Sequence, residues 1–357
     1  MNFFEQKVKE LLPAYFALVM ATGIISIALL LKGFELSAFA LFYLNILFLL
    51  LLLCLFIYRL VAFRAQFVAD FKSYQRGPGF FTVVAALCIV GNQFIVLFQN
   101  MLIARVLLVL AAAAWLIIGY GFFFHITVTE NKKGLKEGIN GTWLVVIVAI
   151  QALSVLLSFL SEEDHGMVPI YLFVALCLFL LGSVFYLYIM SLIIYRISFF
   201  PLNAGELGAP YWINMGATAI TTLAGSMLIL HVQQVPFILE ILPFLKGFTL
   251  LFWAAGTWWI PLLVVLGIWR HVIKKVPVPL TPEGYDPSYW GMVFPLGMYT
   301  VCTFRLSEAL DIPFLKLIPH YFIYIALLAW VAVMIGLIRT LLSYFKSSPT
   351  SGYPPRI

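Results

Sequence analysis

Ten apolar runs, each long enough to cross a bilayer as a helix, follow one another along this sequence with only short polar breaks between them. A helix rises about 1.5 Å per residue, so roughly 20 residues cover the ~30 Å hydrocarbon core. The runs fall at residues 13–31, 37–61, 80–98, 102–125, 142–160, 168–195, 211–235, 243–269, 289–305 and 317–342, the ninth interrupted by Gly291, Pro295 and Gly297. Only 10 % of the residues are charged and 64 % are hydrophobic, against about 25 % charged in a soluble domain, so water is not the main solvent of this chain. No stretch is left over for a separate soluble domain. The expected organisation is a head at residues 1–12, a ten-helix membrane domain at 13–345 and a polar tail at 346–357.

The net charge of +6 does not mark a nucleic-acid partner, because the basic residues are scattered between apolar runs instead of lining one face. Their distribution sets an orientation instead. With the N-terminus inside, sixteen of the 21 Lys and Arg residues fall on inner segments, which is the bias of cytoplasmic loops. Both termini are therefore expected in the cytoplasm of a multi-pass protein of the cell membrane. The acidic run Glu162, Glu163, Asp164 then falls in an outer loop. Lys7 and Lys9 precede an apolar run with no small-residue cleavage site, so that run reads as a retained first helix.

Polar side chains are costly in hydrocarbon and tend to face a bundle interior or a water-filled path. Here they concentrate on the odd-numbered runs: Thr22 and Ser26; Thr82, Asn92 and Gln93; Gln151, Ser154 and Ser158; Asn214, Thr218, Thr221, Thr222, Ser226 and His231; Thr300, Thr303 and Arg305. Even-numbered runs carry few. Gln151, Ser154 and Ser158 follow a 3-4 spacing, and Asn214, Thr218, Thr221 and Gly225 a 4-3-4 spacing, so each set forms a stripe on one helical face. A central path enclosed by five odd helices, with the even helices outside, accounts for this alternation. Hydroxyl and small residues also glue helices together in membranes, and that reading stands beside the pore-lining one. The central thirds of the runs hold almost no Asp, Glu, Lys or Arg, which suits a weak-binding conduit better than an ion-coupled relay.

Enzyme chemistry finds no foothold. His125, His165, His231, His271 and His320 lie on different segments without a partner at metal-ligand spacing. Cys54, Cys88, Cys177 and Cys302 each sit alone in an apolar run. No nucleophile elbow, zinc-protease, phosphate-loop or dinucleotide motif stands in a suitable context. The chain is expected not to be an enzyme and to need no cofactor or metal.

Four patches in order carry a resemblance: residues 13–26, PAYFALVMATGIIS; 210–220, PYWINMGATAI; 258–263, WWIPLL; and 290–295, WGMVFP. They resemble the tellurite-resistance/dicarboxylate transporter family, related to plant slow-type anion channels. That resemblance implies an all-α membrane fold of ten transmembrane helices, arranged as five helical hairpins around a central pore, usually as a homotrimer. It implies that an aromatic of the ninth helix closes the pore, and Phe294, beside the helix-breaking Pro295, holds that motif position. Gly23 and Gly216 would lie near the pore wall. With the polar stripes, the candidate lining is Phe16, Gly23, Ser26, Asn92, Gln151, Ser154, Asn214, Gly216, Thr218 and Pro295, with Phe294 as gate. The implied function is transport of small anions such as tellurite, sulfite, a C4-dicarboxylate or an inorganic anion. A proton-coupled dicarboxylate or sulfite exporter on the same fold is the alternative.

Overall fold

The computed structural model describes residues 3–161, 166–231, 233, 235–278 and 284–346, and no strand occurs among them. The acidic run at 162–164 and the tail beyond Lys346 lie outside the described residues. Among the described residues ten helices of 15 or more residues make up the body: α1 (Ala17–Leu31), α2 (Glu35–Ala62), α3 (Phe81–Phe98), α4 (Met101–Val128), α5 (Val145–Leu160), α6 (Val168–Phe199), α7 (Ile213–Leu230), α8 (Leu242–Ile268), α9 (Trp290–Leu310) and α10 (Leu317–Lys346). Among the described residues nine helices are long and apolar enough to cross a membrane, and α9 is not one of them. Its glycines, its threonines, Pro295 and Arg305 lower its hydropathy. It also runs to Leu310, past the expected boundary at Arg305, where Arg305 Nη1 pairs with Glu308 Oε2 one turn on at 2.9 Å. This is an all-α, multi-pass membrane protein.

Each odd helix is entered through a short 3-10 turn, at Pro13–Phe16, Gly77–Phe80, Gly141–Leu144, Ala209–Trp212 and Pro287–Tyr289. Proline occupies the first or second position of four of these turns, where its fixed φ suits a helix start and its missing N–H is not needed. Side-chain caps start two of them. Asn140 Oδ1 accepts from the Thr142 amide and Asp286 Oδ1 from the Ser288 amide, each at 2.8 Å.

The odd helices pack on one another in a closed cycle, α1 on α3, α3 on α5, α5 on α7, α7 on α9, and α9 back on α1. Each even helix packs against the odd helix that precedes it. Burial separates the two sets. In the most apolar stretches of α1, α3, α5 and α7, 78 to 100 % of residues are buried, against 22 to 39 % in the five even helices. The even helices turn Leu50, Ile57, Leu110, Val184 and Leu328 outward, an apolar surface of the kind lipid wets.

At the C-terminal ends of α2 and α6 two buried arginines fasten the connecting segments. Arg59 pairs with Asp70, which also takes Arg76 at 3.1 Å, and Arg59 Nε donates to the Lys9 carbonyl. Arg196 pairs with Glu206 at 3.2 Å and donates to the Tyr211 hydroxyl and the Lys136 carbonyl. Removing one partner of such a pair would leave a charge buried without compensation, which costs several kcal/mol.

Candidate functional site

Two cavities lie within the ring of odd helices, and each is lined by residues from all five of them. The wider, about 140 Å³, collects the N-terminal ends: Pro13, Ala17 and Met20 before and within α1, Gly79 and Thr82 at α3, Thr142 and Val145 at α5, Pro210 and Ile213 at α7, and Pro287, Gly291 and Phe294 at α9. Gln75 and Arg76 stand at the same end. The narrower, about 10 Å³, has room for roughly one water and is walled by Ile24 and Ile27, Ile89 and Asn92, Ala152, Val155 and Phe159, Ile220 and Leu223, and Met298, Val301 and Arg305.

Along each helix the two sets continue one another at helical spacing. On α9 the face reads Gly291, Phe294, Met298, Val301, Arg305; on α1 it reads Ala17, Met20, Ile24, Ile27. One stripe per helix therefore faces the common axis, and it is mostly apolar. Phe294 is the deepest wide-cavity residue of α9, and Met298, the first residue of α9 in the narrow one, follows one turn or about 6 Å later. The Phe294 side chain is 1 % exposed and rests against α7. A Cβ on Gly216 would lie 3.4 Å from Phe294 Cε1 and 2.8 Å from Pro295 Cγ, so the absence of a side chain at Gly216 lets α7 and α9 approach there.

Of the residues expected at the path, Phe294 borders the wide cavity and Asn92 the narrow one, where Asn92 Oδ1 has no hydrogen-bond partner. The others are drawn to different places. Ser26 Oγ donates to the Ala38 carbonyl of α2 at 2.8 Å, and Ser154 Oγ to the Ala175 carbonyl of α6 at 2.7 Å. Gln151 Nε2 donates to the Phe179 carbonyl at 3.0 Å, and Asn214 Oδ1 accepts from the Tyr186 hydroxyl at 2.9 Å. Thr218 bonds back to the Met215 carbonyl and abuts Gly256 of α8. Gly23 meets Asn45, Ile89 and Gln93; Phe16 packs edge-on to Phe56 of α2; Pro295 packs on Gly216. Gln151, Ser154, Asn214 and Thr218 thus meet the outer helices, Ser158 and Thr221 bond back to carbonyls of their own helices, and neither cavity includes any of these. The residues that do face the axis, such as Ile24, Ile89, Val155, Ile220 and Met298, carry no polarity to set them apart from core. On α9 the 3-4 spacing continued from Phe294 reaches Met298; on the other four helices the sequence holds no comparable signal.

The charged residues that line the two cavities are both basic, and each is ion-paired with a carboxylate outside the lining, Arg76 with Asp70 and Arg305 with Glu308. The two linings contain no Asp, Glu or His. Among the described residues no group of three His, Cys, Asp or Glu is placed to hold a metal ion.

Known proteins share this sequence at length. An uncharacterized transporter of Methanocaldococcus jannaschii is 25 % identical over 343 residues, covering 94 % of this chain and 96 % of its own. A second uncharacterized transporter of that organism is 27 % identical over 82 % of each chain. An uncharacterized membrane protein of Mycobacterium tuberculosis strain H37Rv is 34 % identical over 168 residues, 47 % of this chain and 82 % of its own. These likenesses and the family point to a transporter or channel. Residues 10–338 match the SLAC1 family, described as voltage-dependent anion channel, and since that match takes in nearly the whole ring and its outer layer, the chain belongs to the SLAC1 family.

Proposed function

We propose that this protein conducts small anions across the cell membrane along the axis of its odd-helix ring, with Phe294 as the gate. The observation that carries this is the pair of cavities, each walled by all five odd helices and by no acidic side chain, with Phe294 and one further turn between them. Family membership supports the same reading. The electrostatics favour anions: five odd helices begin at the wide cavity, and a helix N-terminus carries the equivalent of about half a positive charge. Beyond it the wall is apolar apart from Asn92 and Arg305, the latter paired with Glu308, so an ion finds few groups to hold it, as conduction requires, and a phenyl ring resists passage by refusing to replace the hydration shell.

Transport rather than catalysis is the reading that the family and the transporter relatives support. The proposed assembly is a homotrimer with one path per subunit and both termini in the cytoplasm. Tellurite, sulfite, C4-dicarboxylates and inorganic anions are the candidate substrates. Proteoliposomes loaded with chloride, nitrate, sulfite, tellurite or succinate, assayed with and without a pH gradient, decide between a channel and an exporter. Efflux of at least one anion down its own gradient, unchanged when the pH gradient is collapsed, is the expected outcome. Strict dependence on the proton gradient would replace the channel with the proton-coupled exporter.

A further inference from the structure

A third cavity, of about 60 Å³, lies off the ring axis where the end of α8 meets the starts of α7 and α9. Its walls include Arg270, His271, Tyr211, Trp212 and Tyr289, and no acidic residue. Arg270 is 4 % exposed, and its Nε is buried without a hydrogen-bond partner. Among the described residues no carboxylate pairs with it. The contrast with the other two buried arginines at helix ends is direct, since Arg59 has Asp70 and Arg196 has Glu206. Among the described residues, two carboxylates on segments that border this cavity have other partners: Glu206 pairs with Arg196 at 3.2 Å, and Asp286 Oδ1 accepts from the Ser288 amide at 2.8 Å.

A buried guanidinium without a counter-ion costs several kcal/mol, and a planar fork of five donors is the group that best matches phosphate or another oxyanion. The cavity exceeds by several-fold the roughly 10–15 Å³ that one water needs. The backbone adds a second sign of a built site. Arg270 and His271 sit on a π-helical turn, Trp269–Ile273, which continues α8, and such turns recur where a helix presents side chains to a ligand. His271 Nδ1 lies 2.8 Å from the Val276 carbonyl, which fixes Nδ1 as the protonated nitrogen and holds the ring in place.

We propose that this cavity is a binding site for a phosphate-type oxyanion, with Arg270 as its principal ligand and His271 and Tyr289 beside it. The site is separate from the ring axis and does not depend on the conduction proposal. Two sources supply the chemistry, a phospholipid headgroup and free phosphate, since the 32 residues of Leu242–Ile273, at about 1.5 Å per residue, are long enough to carry Arg270 past a hydrocarbon core of ~30 Å.

The test has two arms. In detergent, inorganic phosphate is titrated against the wild type, Arg270→Gln, Arg270→Lys and Tyr289→Phe by calorimetry. In nanodiscs of phosphatidylglycerol or of phosphatidylcholine alone, retained lipid is counted by native mass spectrometry. Saturable phosphate binding, weakened at least about tenfold by Arg270→Gln and less by Arg270→Lys, identifies free phosphate as the occupant. Phosphatidylglycerol retained by the wild type and lost in Arg270→Gln identifies the headgroup. A density map of the wild type in phosphate buffer guards against misfolded variants, and it is expected to show a tetrahedral group against Arg270. Water alone in that map, or binding unaltered by Arg270→Gln in both arms, overturns the proposal.

Discussion

Phe294 rests its ring on Gly216 and borders the wide axial cavity, one turn of α9 before Met298 of the narrow one, so under the proposed gating its truncation removes an obstruction and an apolar contact together. Phe294→Ala is expected to raise anion current several-fold in planar bilayers, and Phe294→Leu to raise it less, because leucine still fills part of the gap. The lost packing lowers stability by about 3–5 kcal/mol at most, so a melting curve accompanies each recording. A folded Phe294→Ala protein that conducts no more than wild type removes Phe294 from the gate. A second residue-scale prediction tests the seams. A Cβ on Gly182 of α6 would stand 2.5 Å from Gln151 Nε2, which is committed to the Phe179 carbonyl. Gly182→Ala should therefore cost about 1–3 kcal/mol by displacing a buried, hydrogen-bonded amide. Gly205, with nothing within 4 Å of a Cβ, should tolerate alanine without a shift in melting temperature.

At the scale of the helix, the choice is between two faces of each odd helix. On α5 the polar face, Gln151 and Ser154, bonds to carbonyls of α6, while Ala152, Val155 and Phe159 face the axis. In hydrocarbon a hydroxyl buried against a neighbouring backbone is satisfied, whereas apolar side chains can wall a narrow path at no desolvation cost. Cysteine at Val155 or Ile220, in a Phe294→Ala background free of native cysteines, should react with a small water-soluble thiol reagent. Cysteine at Ser154 or Thr218 should stay protected. Labelling in the reverse order would return the hydroxyl stripes to the path. Spacing made those stripes visible in the sequence, and it showed that each shares a face. It could not say which face, because a stripe of Ser and Thr serves a seam as well as a pore.

For the whole molecule, the odd and even helices differ in burial and form an inner cycle and an outer layer, which was legible from polar residues alternating between successive runs. Orientation rests on lysine and arginine alone. A reporter fused after Ile357 should be active only in the cytoplasm, and one inserted between Glu162 and Asp164 only outside. The opposite result at either position would break the proposed topology. The off-axis cavity around Arg270 belongs to this scale too, since three separate segments build it and no local motif announces it.

The membrane class and the helices themselves were settled by the sequence, because hydrocarbon demands long apolar helices and the chain supplies them in order. The place of Phe294 beside the wide cavity was legible too, through its motif and its proline neighbour. The tertiary structure alone decided that Ile24, Ile89, Val155, Ile220 and Met298 meet at one axis, and that Arg270 is buried with no carboxylate partner among the described residues. The physical reason is the same in both cases. Apolar side chains look alike in sequence whether they face a partner helix, a lipid or an axis, and a charge reveals its missing counter-ion only when the segments around it are brought together.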